Sequence, residues 1–346
     1  MTTIFFATNR EMLPEGDPAV FGSNFSYDGL ANLRFGRAEV TGDRFQDIAI
    51  TVAPEDLFAD PPVLGSQEIF RQVQQEMKQN AEDTLMLIHG FNTSFREALQ
   101  MAAQIHANLT RPNPLLGEPL KLNMCLFSWP SDGSLILTDP SARDAIAYKN
   151  DRLDAAASGA AFARGFLKVA DFINTLRAEE QCEQRLHLMT HSMGTYVLRY
   201  AVQQLRSFVD NRIPRIFDQI LLIASDEDDD TFDHDYKLHL LPRLTRYVSV
   251  YFNRNDLALW ASDRLKGNPA RLGTDGPLQP LQIPRNVYPI DCTQVIPTRS
   301  GPNEQHSYHL AVERVILDIQ QVLLDRLPDE IPGRHYVPNN NRYRLT

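Results

Sequence analysis

Three side chains far apart in the chain, Ser192, Asp256 and His306, have the types and the order of an acyl-transfer relay. A serine hydroxyl is a weak nucleophile at neutral pH. It needs an imidazole to take its proton and a carboxylate to hold that imidazole in its working tautomer. Ser192 lies in Thr190-His191-Ser192-Met193-Gly194, where an apolar run of strand length gives way to Val197, Leu198, Ala201, Val202 and Leu205 at helical spacing. A serine on such a turn is lifted out of the sheet, provided that small residues two before and two after it let strand and helix pass closely. Gly194 meets that need, whereas Thr190 puts a β-branched side chain where glycine is usual. The rival reading makes Thr190, Ser192 and Thr195 polar caps of the following helix. The partners found downstream favour the nucleophile.

Asp256 directly follows a strand pattern and opens a helix, the place of the acid in the order Ser, Asp, His. Asp226, which follows the preceding strand, is the alternative acid. His306 falls between the last strand of the alternating pattern and the last long helix, and His309 already lies on that helix, so His306 is the expected base. The stretch His89-Gly90-Phe91-Asn92-Thr93-Ser94 leaves an apolar strand and opens a helix, which puts unpaired backbone N–H groups beside the site. The Phe91 and Met193 N–H groups are therefore expected to form the oxyanion hole. His89, Asn92, Trp129 and His191 are candidates for the substrate pocket, and residues 131–158 for a cap or insert. Asp226 to Asp235 carries seven acids in ten residues. It lacks the glycine and the closing glutamate of a calcium loop, so a solvated acidic loop is expected rather than a metal site.

These residues must be positioned by an α/β framework. Residues 3–8 read as a first strand, and a long loop from Arg10 to Asn32 follows. Strands at 34–40 and 48–52, separated by Thr41-Gly42-Asp43-Arg44, read as an antiparallel hairpin. From a helix starting near Ser66 onward, strands at 84–88, 120–129, into Ser192, 219–224, 246–252 and 287–292 alternate with helices. Those helices are predicted at 94–109, 155–176, 193–210, 236–244, 257–265 and 307–327. The alternation predicts a mostly parallel central sheet with helices on both faces and antiparallel strands at its N-terminal side, in one domain over 1–327. In such a sheet the chemistry belongs in loops at the carboxyl ends of the strands. The tail 328–346, rich in Pro, Asn and Arg, is expected to be irregular.

The formal charge of -10 would repel phosphate backbones, which argues against nucleic acid as a partner. The first ten residues lack a signal peptide's basic start and long apolar core, and no apolar run reaches membrane-spanning length. Cys125, Cys182 and Cys292 form neither a CxxC nor a ligand pattern, which fits a reducing cytoplasm. The relay needs no cofactor and no metal. Oligomeric state leaves no trace in the sequence.

Taken together, His89-Gly90-Phe91-Asn92-Thr93-Ser94-Phe95 with Glu97-Ala98-Leu99, Phe127-Ser128-Trp129-Pro130-Ser131-Asp132-Gly133-Ser134, Thr190-His191-Ser192-Met193-Gly194 and His306-Ser307-Tyr308 resemble the α/β-hydrolase family catalogued as DUF900. The resemblance runs from about residue 1 to about 325, since Ala7-Thr8-Asn9-Arg10 and Phe35-Gly36-Arg37-Ala38-Glu39-Val40 also fit its N-terminal pattern. It implies an α/β-hydrolase fold with Ser192, Asp256 and His306 as triad and no single settled substrate. The expected activity is hydrolysis of a carboxylic ester through an acyl-enzyme. Thioester or lipid hydrolysis by the same chemistry, and a hydrolase-fold binding or scaffold module without chemistry, are the alternatives.

Overall fold

The computed structural model describes residues 1–30, 32–56, 58–131, 142–208, 213–260, 270–299 and 301–346. Its elements are β1 (Thr2–Thr8), β2 (Arg10–Met12), β3 (Phe21–Phe25), β4 (Arg34–Thr41), β5 (Asp47–Val52), α1 (Gly65–Asn80), β6 (Asp83–Ile88) and α2 (Phe95–Thr110). There follow β7 (Leu122–Ser128), α3 (Ala142–Thr175), β8 (Leu186–His191), α4 (Gly194–Phe208), β9 (Phe217–Ile223), β10 (Thr245–Phe252) and β11 (Val287–Asp291). The chain closes with α5 (Pro302–His306), α6 (Tyr308–Ala311), α7 (Glu313–Leu323), β12 (Arg334–Val337) and β13 (Arg342–Leu345).

Eleven of these strands form one sheet in the order β12-β13-β11-β10-β9-β8-β6-β7-β1-β4-β5. Pairing is parallel from β1 through β7, β6, β8, β9, β10 and β11 to β13. It is antiparallel at β1–β4, β4–β5 and β12–β13. Parallel strands covered on both faces read as nearly continuous apolar runs, as Thr84-Leu85-Met86-Leu87-Ile88 does. One face packs against Ile69 of α1, Phe162 and Phe166 of α3, and Val197 and Val202 of α4. The other packs against Leu99 and Ala102 of α2 and Val315 and Ile319 of α7. Each of these side chains other than Ala102 contributes about 1.5–3 kcal/mol over leaving it exposed. Because the strands are parallel, the loops after β6, β8, β9, β10 and β11 leave from the same end of the sheet. They carry Phe91, Ser192, Asp226, Asp256 and His306.

Five expectations change. The tail is not irregular: β12 and β13 form a hairpin, and β13 adds to β11 with Ile290 opposite Tyr343. The Pro-Asn run that suggested disorder is the turn, with Asn341 at φ 40° in the left-handed region that asparagine tolerates. The Arg10–Asn32 loop contains the two-stranded β2–β3 sheet, and Phe21 anchors it edge-on to Phe6 and Phe95 at ring distances of 5.8 and 4.8 Å. Within 236–244 only Leu241–Arg243 forms a helical turn. The helix predicted over 307–327 is broken into α6 and α7, and α3 starts earlier than predicted, at Ala142. Of the helices predicted at 193–210 and 257–265, residues 209–210 and 261–265 lie outside the described residues. Among the described residues no helix is long and apolar enough to cross a membrane.

Candidate functional site

Strand β8 ends at His191, and the next residue turns sharply: Ser192 takes φ 53°, in the left-handed region that a side-chain-bearing residue adopts only at a cost. Three backbone hydrogen bonds hold it there. The Ser192 N–H donates to Ile223 O at 3.0 Å, and its carbonyl accepts from the N–H groups of Thr195 and Asp226 at 3.1 and 3.2 Å. Close passage of strand and helix is visible at Gly194, where an added Cβ would stand 2.4 Å from Ile88 O and 2.7 Å from His89 O. Both obstacles are backbone, so neither can swing aside. Gly194→Ala is expected to cost at least about 1–3 kcal/mol, measurable as a lower urea midpoint at unchanged m-value.

Thr190 sits two residues before the serine without the same conflict. It is fully buried, and its Oγ1 lies 2.8 Å from Thr195 Oγ1. The hydroxyl that looked like an obstruction instead ties the end of β8 to the first turn of α4.

Asp256 and His306, expected as acid and base, meet. His306 Nδ1 is 2.8 Å from Asp256 Oδ2, with both side chains buried. Burial pulls the imidazolium down, but the Asp256 carboxylate outweighs it with help from Asp226, so His306 is raised above its usual value. Asp226 does not take this place, since it accepts the Tyr148 hydroxyl and stands 3.7 Å from Arg271 Nε. With Nδ1 turned to Asp256, Nε2 is the nitrogen left for a proton transfer. His306 reaches the elbow through His191, whose Nε2 is 3.4 Å from His306 O and whose ring centre is 4.8 Å from that of His306. Among the described residues no hydrogen bond joins Ser192 Oγ to His306. Such contacts are often long until a reacting carbonyl is engaged.

Two clamps that the sequence did not announce fix the base loop. Asn253, buried just past β10, donates from Nδ2 to Gln305 O at 2.9 Å. The Tyr308 hydroxyl donates to Tyr251 O at 2.9 Å and accepts from Ala224 N–H at 3.1 Å, so one side chain bridges the ends of β9 and β10. An asparagine after a strand carries no pattern that marks it in advance, and Tyr308, though part of the His306-Ser307-Tyr308 motif, carries none that marks this bridging role. His309 lies on α6, as expected, with its ring 4.6 Å from that of His191. Burial and the neighbouring His306 lower His309 to about 3, so it stays neutral beside the base.

The loop after β6 is braced from below. Gly90 lies against the elbow, since a Cβ there would come within 2.9 Å of Ser192 Cβ. Asn92 takes φ 55°, and Ser94 closes the loop with a capping box to Glu97. Neither the Phe91 nor the Met193 N–H donates to a backbone acceptor among the described residues. Buried Arg10 donates from Nη2 to Thr93 O at 2.7 Å and from Nε to Ser128 Oγ at 2.9 Å. Ser128 Oγ is also 3.0 Å from His89 Nε2, while His89 Nδ1 is 2.9 Å from Gly90 O. A carbonyl only accepts, so Nδ1 carries the hydrogen and Ser128 donates to Nε2. His89 is thereby a neutral spacer, and burial, seconded by Arg10, lowers it to about 3.

The pocket candidates are sorted by burial. His89 and Trp129 have no exposed surface and stack 5.4 Å apart at 9°, so they floor the loop rather than line a pocket. His191 is buried between His306 and His309, whereas Asn92 is only partly buried and donates its N–H to Asp151 Oδ2 at 3.4 Å. Of the segment 131–158, residues 132–141 lie outside the described residues. Further along it, Tyr148 packs 5.6 Å from the Phe91 ring, and Asp151 accepts the Ser131 hydroxyl.

The acidic run is not a solvated loop. Glu227 is buried against Arg199 at 2.8 Å, and Asp228 binds Arg271 at 2.6 Å and Lys237 at 2.9 Å. Burial pushes the Glu227 carboxyl up to about 7. The cations come from separate segments, so the run looked unpaired in one dimension. Among the described residues no group of three or more His, Cys, Asp or Glu side chains is arranged to hold a metal ion.

A family model described as an alpha/beta hydrolase of unknown function (DUF900) matches residues 66–326, and residues 1–65 lie outside the matched span. No curated protein matches the chain.

Proposed function

Because the chain belongs to the DUF900 family of α/β-hydrolases, we propose that it is a serine hydrolase acting on carboxylic esters. The observation that carries this reading is the buried Asp256–His306 pair at 2.8 Å, with His306 4.8 Å ring to ring from His191, whose chain neighbour Ser192 is held at φ 53°. In this mechanism His306 Nε2 takes the Ser192 proton as Oγ bonds to the acyl carbon. The N–H groups of Phe91 and Met193 hold the oxyanion. The tetrahedral species then collapses. The C–O bond to the alcohol breaks, His306 returns the proton to the departing oxygen, and an acyl-serine remains. Water repeats the sequence with His306 as base, releasing the acid and restoring the serine. Asp256 orients the imidazole and offsets the charge it gains. Three free thiols suit a reducing compartment, and the cytoplasm is part of the proposal.

The scaffold alternative draws on Thr190, which stands where the elbow usually has glycine; its hydroxyl lies 2.8 Å from that of Thr195, which supports a well-formed elbow. A fluorophosphonate probe separates the two readings. The expected result is one adduct per chain on the peptide that contains Ser192. A folded wild-type protein that takes no label under conditions that saturate a control serine hydrolase would leave the scaffold standing.

A further inference from the structure

A cavity of about 550 Å³ lies between the sheet and helices α1 and α3, within the range of small-molecule sites. Ser192, Asp256, His306 and Phe91 do not line it. It runs from the Phe127 level, opposite Ile88 near the carboxyl end of β6, to the level of Thr84 and Leu186, where those strands begin. It is therefore reached from the opposite end of the sheet to the serine.

The cavity is chemically two-ended. Its body is aromatic and aliphatic, with Phe5 and Phe35 from the sheet, Phe70 and Val73 from α1, and Phe166 and Val169 from α3. Its charged lining lies at the start of the strands: Arg185, Arg215, Arg246 and Asp218. Arg246 is 2.9 Å from Asp325 and 3.5 Å from Asp218, and Arg185 shares the same two acids at 3.3 and 3.9 Å. Two arginines are thus matched by two aspartates. Arg215, exposed, has no carboxylate within ion-pair distance among the described residues. At the same end Thr84 is 2 % exposed, yet its Oγ1 has no hydrogen-bond partner among the described residues. Thr84 and Met86 alternate onto one face of β6, the face that fronts the cavity. A buried hydroxyl left unpaired is costly, and at the polar end of the cavity, among Gln184, His187 and the arginines, it marks where a polar group is received.

We propose that this cavity binds a free long-chain carboxylate, its tail among the phenylalanines and its head between Arg215 and Thr84. Among the described residues that line the cavity, Arg215 is the one arginine without a carboxylate partner, and it selects an anionic head. The length and apolarity of the body select an unbranched chain. Because the site lies apart from Ser192, the proposal stands or falls independently of the hydrolase reading.

The test is calorimetric titration of the full chain with palmitate, hexadecanol and hexadecyltrimethylammonium, which share a tail and differ in head charge. One palmitate per chain is expected, bound at least about tenfold more tightly than the cationic amphiphile. Arg215→Glu, at an exposed position, is expected to weaken palmitate by about tenfold or more, the worth of one charge-assisted hydrogen bond, and to leave hexadecanol unchanged. Val169→Trp and Val73→Trp fill the cavity from opposite helices, and either is expected to weaken all tails that bind by at least about tenfold. No palmitate binding to wild type would overturn the proposal. So would palmitate binding indifferent to Arg215→Glu, or binding unmoved by whichever tryptophan variant retains the wild-type far-ultraviolet spectrum.

Discussion

Ser192→Ala is expected to lower kcat for an aryl ester on the order of 10⁶-fold, equivalent to about 8 kcal/mol of barrier. The loss is large because the methyl group removes the only atom that bonds to the acyl carbon, and the other members of the relay act only through it. Activity is not expected to fall to that of water, since the N–H groups of Phe91 and Met193 still favour the charged oxygen. A residual advantage on the order of 10³-fold is expected. The measurement is initial rates across acyl lengths for both proteins, with the variant's fold checked by its urea midpoint. Rates that do not differ would remove Ser192 from the chemistry and, with it, the ester hydrolase proposal.

The second large effect belongs to the carboxylate. Asp256→Asn is expected to lower kcat at neutral pH about 10⁴-fold, because an amide donating to Nδ1 forces the imidazole into the tautomer that cannot accept the serine proton. Asp226→Asn should leave kcat within about tenfold, since that side chain is engaged by Tyr148 and Arg271 rather than by Nδ1 of the base. The pH profile carries an independent signature. His306 works only when neutral, and its pKa is raised, so kcat/KM in the wild type should rise with pH through a limb above the ordinary histidine value. In Asp256→Asn the main raising cause is gone and burial remains, so the limb should move to lower pH. A limb that stays in place would mean another acid holds the imidazole. The same shift bears on stability. A raised folded-state pKa favours the fold most below the unfolded histidine value, and that contribution is lost as pH rises through the folded one.

What could be read from the sequence divides along physical lines. Elements whose signal is local were legible. The hairpin at Thr41-Gly42-Asp43-Arg44 and the apolar run before His89 announce themselves within a few residues, as does the switch from strand to helix at Ser192. The grouping of Ser192, Asp256 and His306 at one end of the sheet could be expected because topology sends the loops of parallel strands there, and of the three the structure joins Asp256 to His306. What escaped depends on partners brought in by the fold. The acidic run from Asp226 was expected to be solvated because Arg199, Lys237 and Arg271 are neighbours only in three dimensions. Thr190 looked like a flaw because its partner hydroxyl, on Thr195, follows a turn that a linear reading cannot close. Trp129 and His89 looked like pocket residues because their types suit one, yet burial assigns them to the floor. The tail failed differently. Its composition spoke for disorder, but Tyr343 and Leu345 alternate inward, and Arg334 finds buried Asp318 at 2.6 Å.

Strand β1 is threaded into the interior of the sheet, between β7 and β4, and Arg10 leaves its end to hold Thr93. The span that the family model matches begins more than fifty residues later, at position 66. An expression fragment trimmed to that span would lose β1, β4 and β5 from one edge of the sheet and β12 and β13 from the other, bare the hydrogen-bonding edge of β7 to solvent, and leave the turn at Thr93 without its guanidinium prop. The edge of the matched span is therefore not a place where this polypeptide can be cut.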